Sequence, residues 1–175
     1  FQAALDLCIG GVMEHLFHGN RDPGPDRLVA AARAGIPFVL APCGLDILSY
    51  GGRRDMLEKT RDRPQYVQDA VRVQVRTTGE ELRRAADVIA ERLDAARGPW
   101  TFLVPLKGWS SLDREGRPMY DPAADAAFVS RLKERLADPT RVREVDLHLY
   151  TPEFARVAVD ELVRLHRGER ARAVG

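Results

Sequence analysis

Lys107, Gly108, Ser110, Ser111 and Asp113 crowd into one short stretch, Trp100-Thr-Phe-Leu-Val-Pro-Leu-Lys-Gly-Trp-Ser-Ser-Leu-Asp113, where an apolar run stops abruptly in a polar loop. An ammonium, two hydroxyls, a carboxylate and a glycine-freed backbone are the groups that hold a small polar molecule. Gly10 and Gly11 follow a second apolar run, Gly44, Asp46 and Ser49 a third, and His148 ends a fourth. Glycines beside a helix start offer unpaired N–H groups and a partial positive charge, which suit a carboxylate or phosphate. Asp46, Ser110 and His148 are the groups able to handle protons in hydrolysis or transfer on a small carbonyl or phosphate compound.

Each of these residues also has a structural use. Gly10-Gly11 can simply permit a tight strand-to-helix turn, Ser110-Ser111 can cap, Asp46 can organise its own turn, and His148 can be a hydrogen-bonded structural histidine. Neither G-x-G-x-x-G nor a Walker A lysine pattern occurs, and no G-x-S-x-G elbow frames a serine nucleophile. His15 and His18 are three apart, but no acid is placed to complete a metal site, so none is expected. No residue set names a reaction, and catalytic residues stay unassigned. Cys8 and Cys43 each follow a strand-like run, so both are expected at strand ends, able to approach each other as free thiols.

The elements that must position these groups follow from periodicity. Strands are expected over Phe1–Leu7, Ile36–Ala41, Val71–Arg76, Trp100–Val104 and Val142–Leu149, with Val71–Arg76 alternating as an edge or half-exposed strand would. Helices are expected from Ile9 to Phe17, from Pro25 to Ala34 and stopped by Gly35, and from caps at Thr78, Asp121 and Thr151. Pro42 to Pro64 breaks the pattern, an excursion that compact domains seldom carry without a use. Strands alternating with helices predict a mainly parallel sheet with right-handed crossovers, an α/β three-layer Rossmann-like sandwich. Such a sheet gathers the loops after Leu7, Ala41, Val104 and Leu149 on one rim, where open α/β sheets bind ligands.

With 175 residues, of which 45% are hydrophobic, the chain can fill one core but not two. The expected organisation is one domain over 1–167 and a basic, frayed tail over 168–175. The opening Phe1-Gln-Ala-Ala-Leu already reads as a strand without an initiator methionine, so an amino-terminal domain is expected to precede it. Basic and acidic residues number 27 and 26, leaving no long-range field to draw the chain to nucleic acid or an anionic membrane. No signal peptide and no apolar run near the ~20 residues of a bilayer span is present, and a cytoplasmic protein is expected.

Read in order, Gly24-Pro-Asp-Arg-Leu-Val-Ala-Ala-Ala-Arg-Ala-Gly-Ile-Pro37, Gly44-Leu-Asp46, Arg76-Thr-Thr78, Pro105 to Asp113, Tyr120-Asp-Pro-Ala-Ala-Asp-Ala-Ala127 and His148 through Ala155 resemble the carboxyl half of the Tm-one-like ATP-binding domain family. The resemblance covers nearly the whole chain. It implies a two-domain α/β parent that forms homodimers, is associated with ATP, and holds a nucleotide or small anion in its interdomain cleft. The alternative is a hydrolase or transferase. Three departures from the family pattern stand at strand ends. Cys8-Ile-Gly-Gly11 replaces a threonine-rich turn followed by Glu, Ser49 and Tyr50 replace Asn then Phe, and Tyr150-Thr151 replace Asn-Asp.

Overall fold

The computed structural model describes the backbone of residues 1–174 and the side chains of residues 1–168. Four strands, β1 (Ala4–Asp6), β2 (Phe38–Leu40), β6 (Trp100–Pro105) and β7 (Val142–Val145), lie side by side in chain order, every neighbour pair parallel. When strand order follows chain order, right-handed crossovers drop every connecting helix on the same face. That is where α1 (Gly11–Phe17), α2 (Val29–Ala34), α3 (Gly79–Asp94) and α4 (Pro122–Arg135) pack, onto Phe38, Leu40, Phe102 and Val104. The opposite face, with Val39, Ala41 and Leu103, is covered by α5 (Pro152–Val174) through Phe154, Ala158 and Leu165. The result is the expected α/β sandwich, and burial on both faces explains why β2 and β6 are apolar at successive positions.

Local chemistry sets the helix starts. Thr78 and Glu81 form a reciprocal capping box, Asp121 accepts from Ala124 N–H with Pro122 following, and Thr151 Oγ1 accepts from Phe154 N–H at 3.2 Å. α5 is also held to the sheet by Glu161, buried, which accepts from Thr101 Oγ1 and Arg143 at 2.5 Å and from Arg164 at 2.7 Å. The helix runs on through Gly168 to Val174. Two boundaries move. α2 starts at Val29, because Arg27 is turned inward to a bidentate grip on Asp6 (2.5 and 2.6 Å) and Leu28 takes the left-handed conformation, φ 74°. β7 ends at Val145, so His148 lies in the following loop.

The excursion after β2 builds a second sheet. β3 (Ile47–Tyr50) and β4 (Gln65–Asp69) flank β5 (Arg72–Arg76), both antiparallel to it. β5 is therefore central in a separate small sheet, with Val73 and Val75 buried, and no edge of the parallel one. Ser49 sits within β3, and Asp46 immediately precedes it.

Candidate functional site

The loops at the carboxyl ends of the parallel strands enclose a cavity of about 340 Å³, walled by Cys8, Gly10, Gly11, Cys43, Gly44, Ser110, Ser111 and Tyr150, with Glu14, Arg21, Ile47, Gln74 and Leu112 closing the side toward the second sheet. Five of the residues singled out in the sequence thus meet there: Gly10, Gly11, Gly44, Ser110 and Ser111. The others stand behind the wall or away from it.

Gly10 and Gly44 are glycine because the two loops touch. A Cβ on Gly10 would lie 2.6 Å from the Gly44 carbonyl oxygen, and Gly44 is at φ +81° with Gly10 Cα 3.1 Å from its own Cβ position. The Gly10 N–H is committed to the Cys43 carbonyl at 3.1 Å. Gly11 meets the Pro23 ring in the same way, 2.8 Å from a built Cβ. Close packing accounts for this glycine pair.

Behind the wall is a buried polar network. Ser110 Oγ donates to Asp46 Oδ2 at 2.5 Å and accepts from Leu112 and Asp113 N–H at 3.2 Å each. Asp46 Oδ1 accepts from Gly44 N–H at 3.2 Å, so this carboxyl ties the β2–β3 loop to the serine loop. Gly108, at φ +116°, lets the serine loop fold on itself, and Asp113 Oδ2 receives Trp109 N–H at 2.8 Å. Arg76 donates to the Asp46 and Asp121 carbonyls at 3.0 Å and to Asp125 at 2.5 Å. Three carboxyls and one guanidinium therefore share one buried space. Burial pushes the Asp46 carboxyl above its usual range. It lifts Asp125 to about 8 against the opposing pull of Arg76, with the Asp113 carboxyl beside it raising it further. Asp113 Oδ1 is a buried oxygen with no hydrogen-bond partner, and the raised Asp125 carboxyl is its neighbour.

His148 is buried. Its Nδ1 accepts from Tyr150 N–H at 3.1 Å, which places the proton on Nε2, facing the Ser110 carbonyl at 3.1 Å. Both ring nitrogens are engaged with backbone, so His148 shapes the loops and is not positioned as a base for Ser110 Oγ. Lys107 is exposed and paired with Asp146 at 3.0 Å, turned from the cavity because Leu106 and Lys107 N–H zip onto the Val145 and Leu147 carbonyls. Ser49 reaches the cavity indirectly, its hydroxyl holding Arg21. Among the described residues no three His, Cys, Asp or Glu side chains meet where a metal ion could be held, and His15 instead pairs with Asp22 at 3.0 Å.

Sequence reasoning missed Glu14, Arg21, Gln74 and Tyr150. Glu14 is buried, accepts from Ser49 N–H at 3.3 Å and Arg21 at 3.4 Å, and burial raises its carboxyl above the ordinary range. Arg21 is the cation of the cavity wall. Tyr150 OH lies 3.8 Å from Cys43 Sγ, and burial followed by the neighbouring thiols raises its phenol to about 12. The Cys43 thiol hydrogen bond, helped by the Gly10 backbone, holds the Cys8 thiol at about 6 against partial desolvation, while Cys43 is pushed up as the donor. Cys8 and Tyr150 line the cavity, and Ser49 orients its arginine.

One arginine, partly answered by Glu14, and no lysine make a poor cradle for a triphosphate, whose charges would have to be met by groups outside this chain. The wall does fit a small molecule carrying one carboxylate or phosphate beside hydroxyl groups.

Residues 1–166 match the family described as uncharacterised protein family UPF0261, C-terminal domain. UPF0261 proteins of Brucella melitensis and Clostridium tetani are each 33% identical, over 91% and 94% of this chain and 38% and 41% of their own lengths. The ToMV resistance protein Tm-1 of tomato (Solanum lycopersicum) is 28% identical over 94% of this chain and 22% of its own length. The chain spans about two fifths of the length of the bacterial relatives it matches. Among the described residues no helix is long and apolar enough to cross a membrane.

Proposed function

From a chain that belongs to the UPF0261 family, as its C-terminal domain, we propose a ligand-binding role: the carboxyl rim of the parallel sheet forms one wall of a small-molecule site that an amino-terminal domain of a two-domain, dimeric cytoplasmic parent completes. The observation that carries this reading is the convergence of loops from all four parallel strands on a single cavity, the place where open α/β sheets take ligands.

The ligand class is a small carboxylate or monophosphate held by Arg21, Ser111 and the backbone of the glycine loops. ATP, if the parent binds it, draws its phosphate contacts from elsewhere. The departures at Cys8, Ser49 and Tyr150 support a ligand peculiar to this branch of the family, because they alter the wall and leave the scaffold intact. A hydrolase or transferase role through Asp46, Ser110 or His148 is disfavoured by their bonds to one another and to backbone.

Melting the protein with a panel of small carboxylates, phosphate monoesters and ATP tests the reading, since a ligand specific to the folded state raises the melting temperature. The expected result is stabilisation by a monoanionic compound that Arg21→Ala or Ser111→Ala abolishes with little change in the unliganded melt. Stabilisation that both variants leave intact would overturn it.

A further inference from the structure

The most reactive chemistry on the cavity wall is sulfur, and the ligand reading does not use it. Cys8 and Cys43 are the only cysteines of the chain. β1 and β2 end side by side, with Asp6 opposite Leu40. Just beyond, Cys8 bridges Pro42, one residue from Cys43, and Gly10 N–H fastens the Cys43 carbonyl at 3.1 Å. The backbones are thus stitched together on both sides of the thiols. The contact of Gly10 with Gly44 lets the loops come this close, and the Cys8 sulfur lies 3.6 Å from where a Gly44 Cβ would be.

The two thiols are not equivalent. Cys8 is exposed and Cys43 is buried with Tyr150 OH at 3.8 Å from its sulfur, and both line the same cavity. One cysteine faces solvent, and the other is buried on the neighbouring, hydrogen-bonded loop. This is the arrangement of an attacking and a resolving cysteine. The low value of the Cys8 thiol keeps it largely thiolate at neutral pH, and Cys43 retains its proton.

We propose that Cys8 and Cys43 are a redox-active dithiol, which a hydroperoxide closes reversibly into a disulfide across the mouth of the cavity. The Cys8 thiolate attacks the terminal peroxide oxygen. The O–O bond breaks, the alkoxide or hydroxide leaves and takes a proton from solvent, and Cys8 becomes a sulfenic acid, oxidised by two electrons. The Cys43 sulfur then attacks the Cys8 sulfur, the S–O bond breaks, and hydroxide departs as water with the Cys43 proton. In sum, two thiols and one hydroperoxide give one disulfide, one alcohol and one water. An external thiol reverses it by exchange. Closure removes the thiolate from the wall and turns the thiol that Tyr150 OH meets into a disulfide sulfur, so the reduced and oxidised cavities present different groups to a ligand. The dithiol chemistry does not depend on which ligand, if any, the cavity holds.

The reduced chain is treated with equimolar hydrogen peroxide, alkylated with iodoacetamide, and its intact mass and peptides are measured. The expected product is a monomer lighter by two hydrogens, unalkylated, with one Cys8–Cys43 peptide, and dithiothreitol restores two alkylatable thiols. In Cys43→Ser, Cys8 stops at a sulfenic acid that dimedone traps. In Cys8→Ser, Cys43 oxidises at least about tenfold more slowly. Thermal melts confirm that both variants fold. The proposal is overturned by sulfinic or sulfonic acid on wild-type Cys8 with no internal cross-link, by disulfide-linked dimers in place of the internal bond, or by two thiols that survive a dose oxidising free glutathione.

Discussion

Replacing Asp125 by Asn probes the buried acid network, and its sign can be worked in advance. Asp125 sits on Arg76 at 2.5 Å, yet burial lifts its folded-state value from 3.8 to about 8. A raised value means the folded protein binds this proton more tightly than the unfolded chain. The stabilisation is complete below pH 3.8 and is lost as pH climbs through about 8. For one proton the slope reaches at most about 1.4 kcal/mol per pH unit inside that window. Asn copies the protonated acid in shape, its amide able to donate to Asp113 Oδ1 and its carbonyl to accept from Arg76. The variant should match wild type below pH 3.8, gain on it steadily as pH rises toward 8 and level off above, by a few kcal/mol in all on the scale of that slope. Urea unfolding at a series of pH values reads this directly. Were Asp125 an ionised partner of Arg76, the same substitution would strand a buried guanidinium and cost about 3–5 kcal/mol at neutral pH. A variant markedly weaker than wild type at pH 7, or two stability curves that run parallel across the range, would refute the account of a protonated Asp125.

Further outcomes follow from the same geometry. Ser110→Ala removes the donor to Asp46 and the acceptor for two N–H groups, and should lower unfolding stability by about 1–3 kcal/mol in denaturant titration; a loss under about 0.5 kcal/mol would mean that the hydroxyl is not part of the scaffold. Gly10→Ala drives a methyl onto the Gly44 backbone at 2.6 Å, with an expected cost of about 1–3 kcal/mol in the thermal melt, whereas Gly116→Ala, with open space around it, should feel only its backbone conformation. Iodoacetamide should modify Cys8 with a half-maximal rate near pH 6 and leave Cys43 slow. Because the folded-state value of Cys8 is depressed from 9.0, its contribution to stability is present above pH 9 and is lost as pH falls through about 6. A Cys8 rate still rising steeply above pH 8 would contradict the contact with Cys43.

What could be read in the sequence was whatever local chemistry determines. Thr78, Asp121 and Thr151 announce helix starts because a cap is a contact within three residues. The apolar runs at Phe38 and Trp100 announce doubly covered strands for the same reason of short range. The second sheet was hidden because β4, Gln65–Asp69, has largely exposed side chains and owes its form to pairing with β5. Its absence from the reading concealed the side of the cavity that Gln74 and the Arg21–Ser49 contact build. Lys107 looked like a ligand group from its loop, but the zipper between that loop and Leu147 turns it outward. By contrast, the approach of Cys8 and Cys43 was legible from their places after neighbouring strands, and so was the gathering of Gly10, Gly44 and Ser110.

The claim that the strand-end cavity is the ligand site is tested most directly by backbone amide NMR of the chain during titration with a small carboxylate or phosphate monoester that stabilises it. Shifts are predicted to cluster at Cys8 to Gly11, Cys43 to Gly44, Arg21 and Ser110 to Leu112. Saturable shifts confined to another hollow, such as the one of about 420 Å³ between α4 and β7 around Val129, Lys133 and Glu144, would contradict the account.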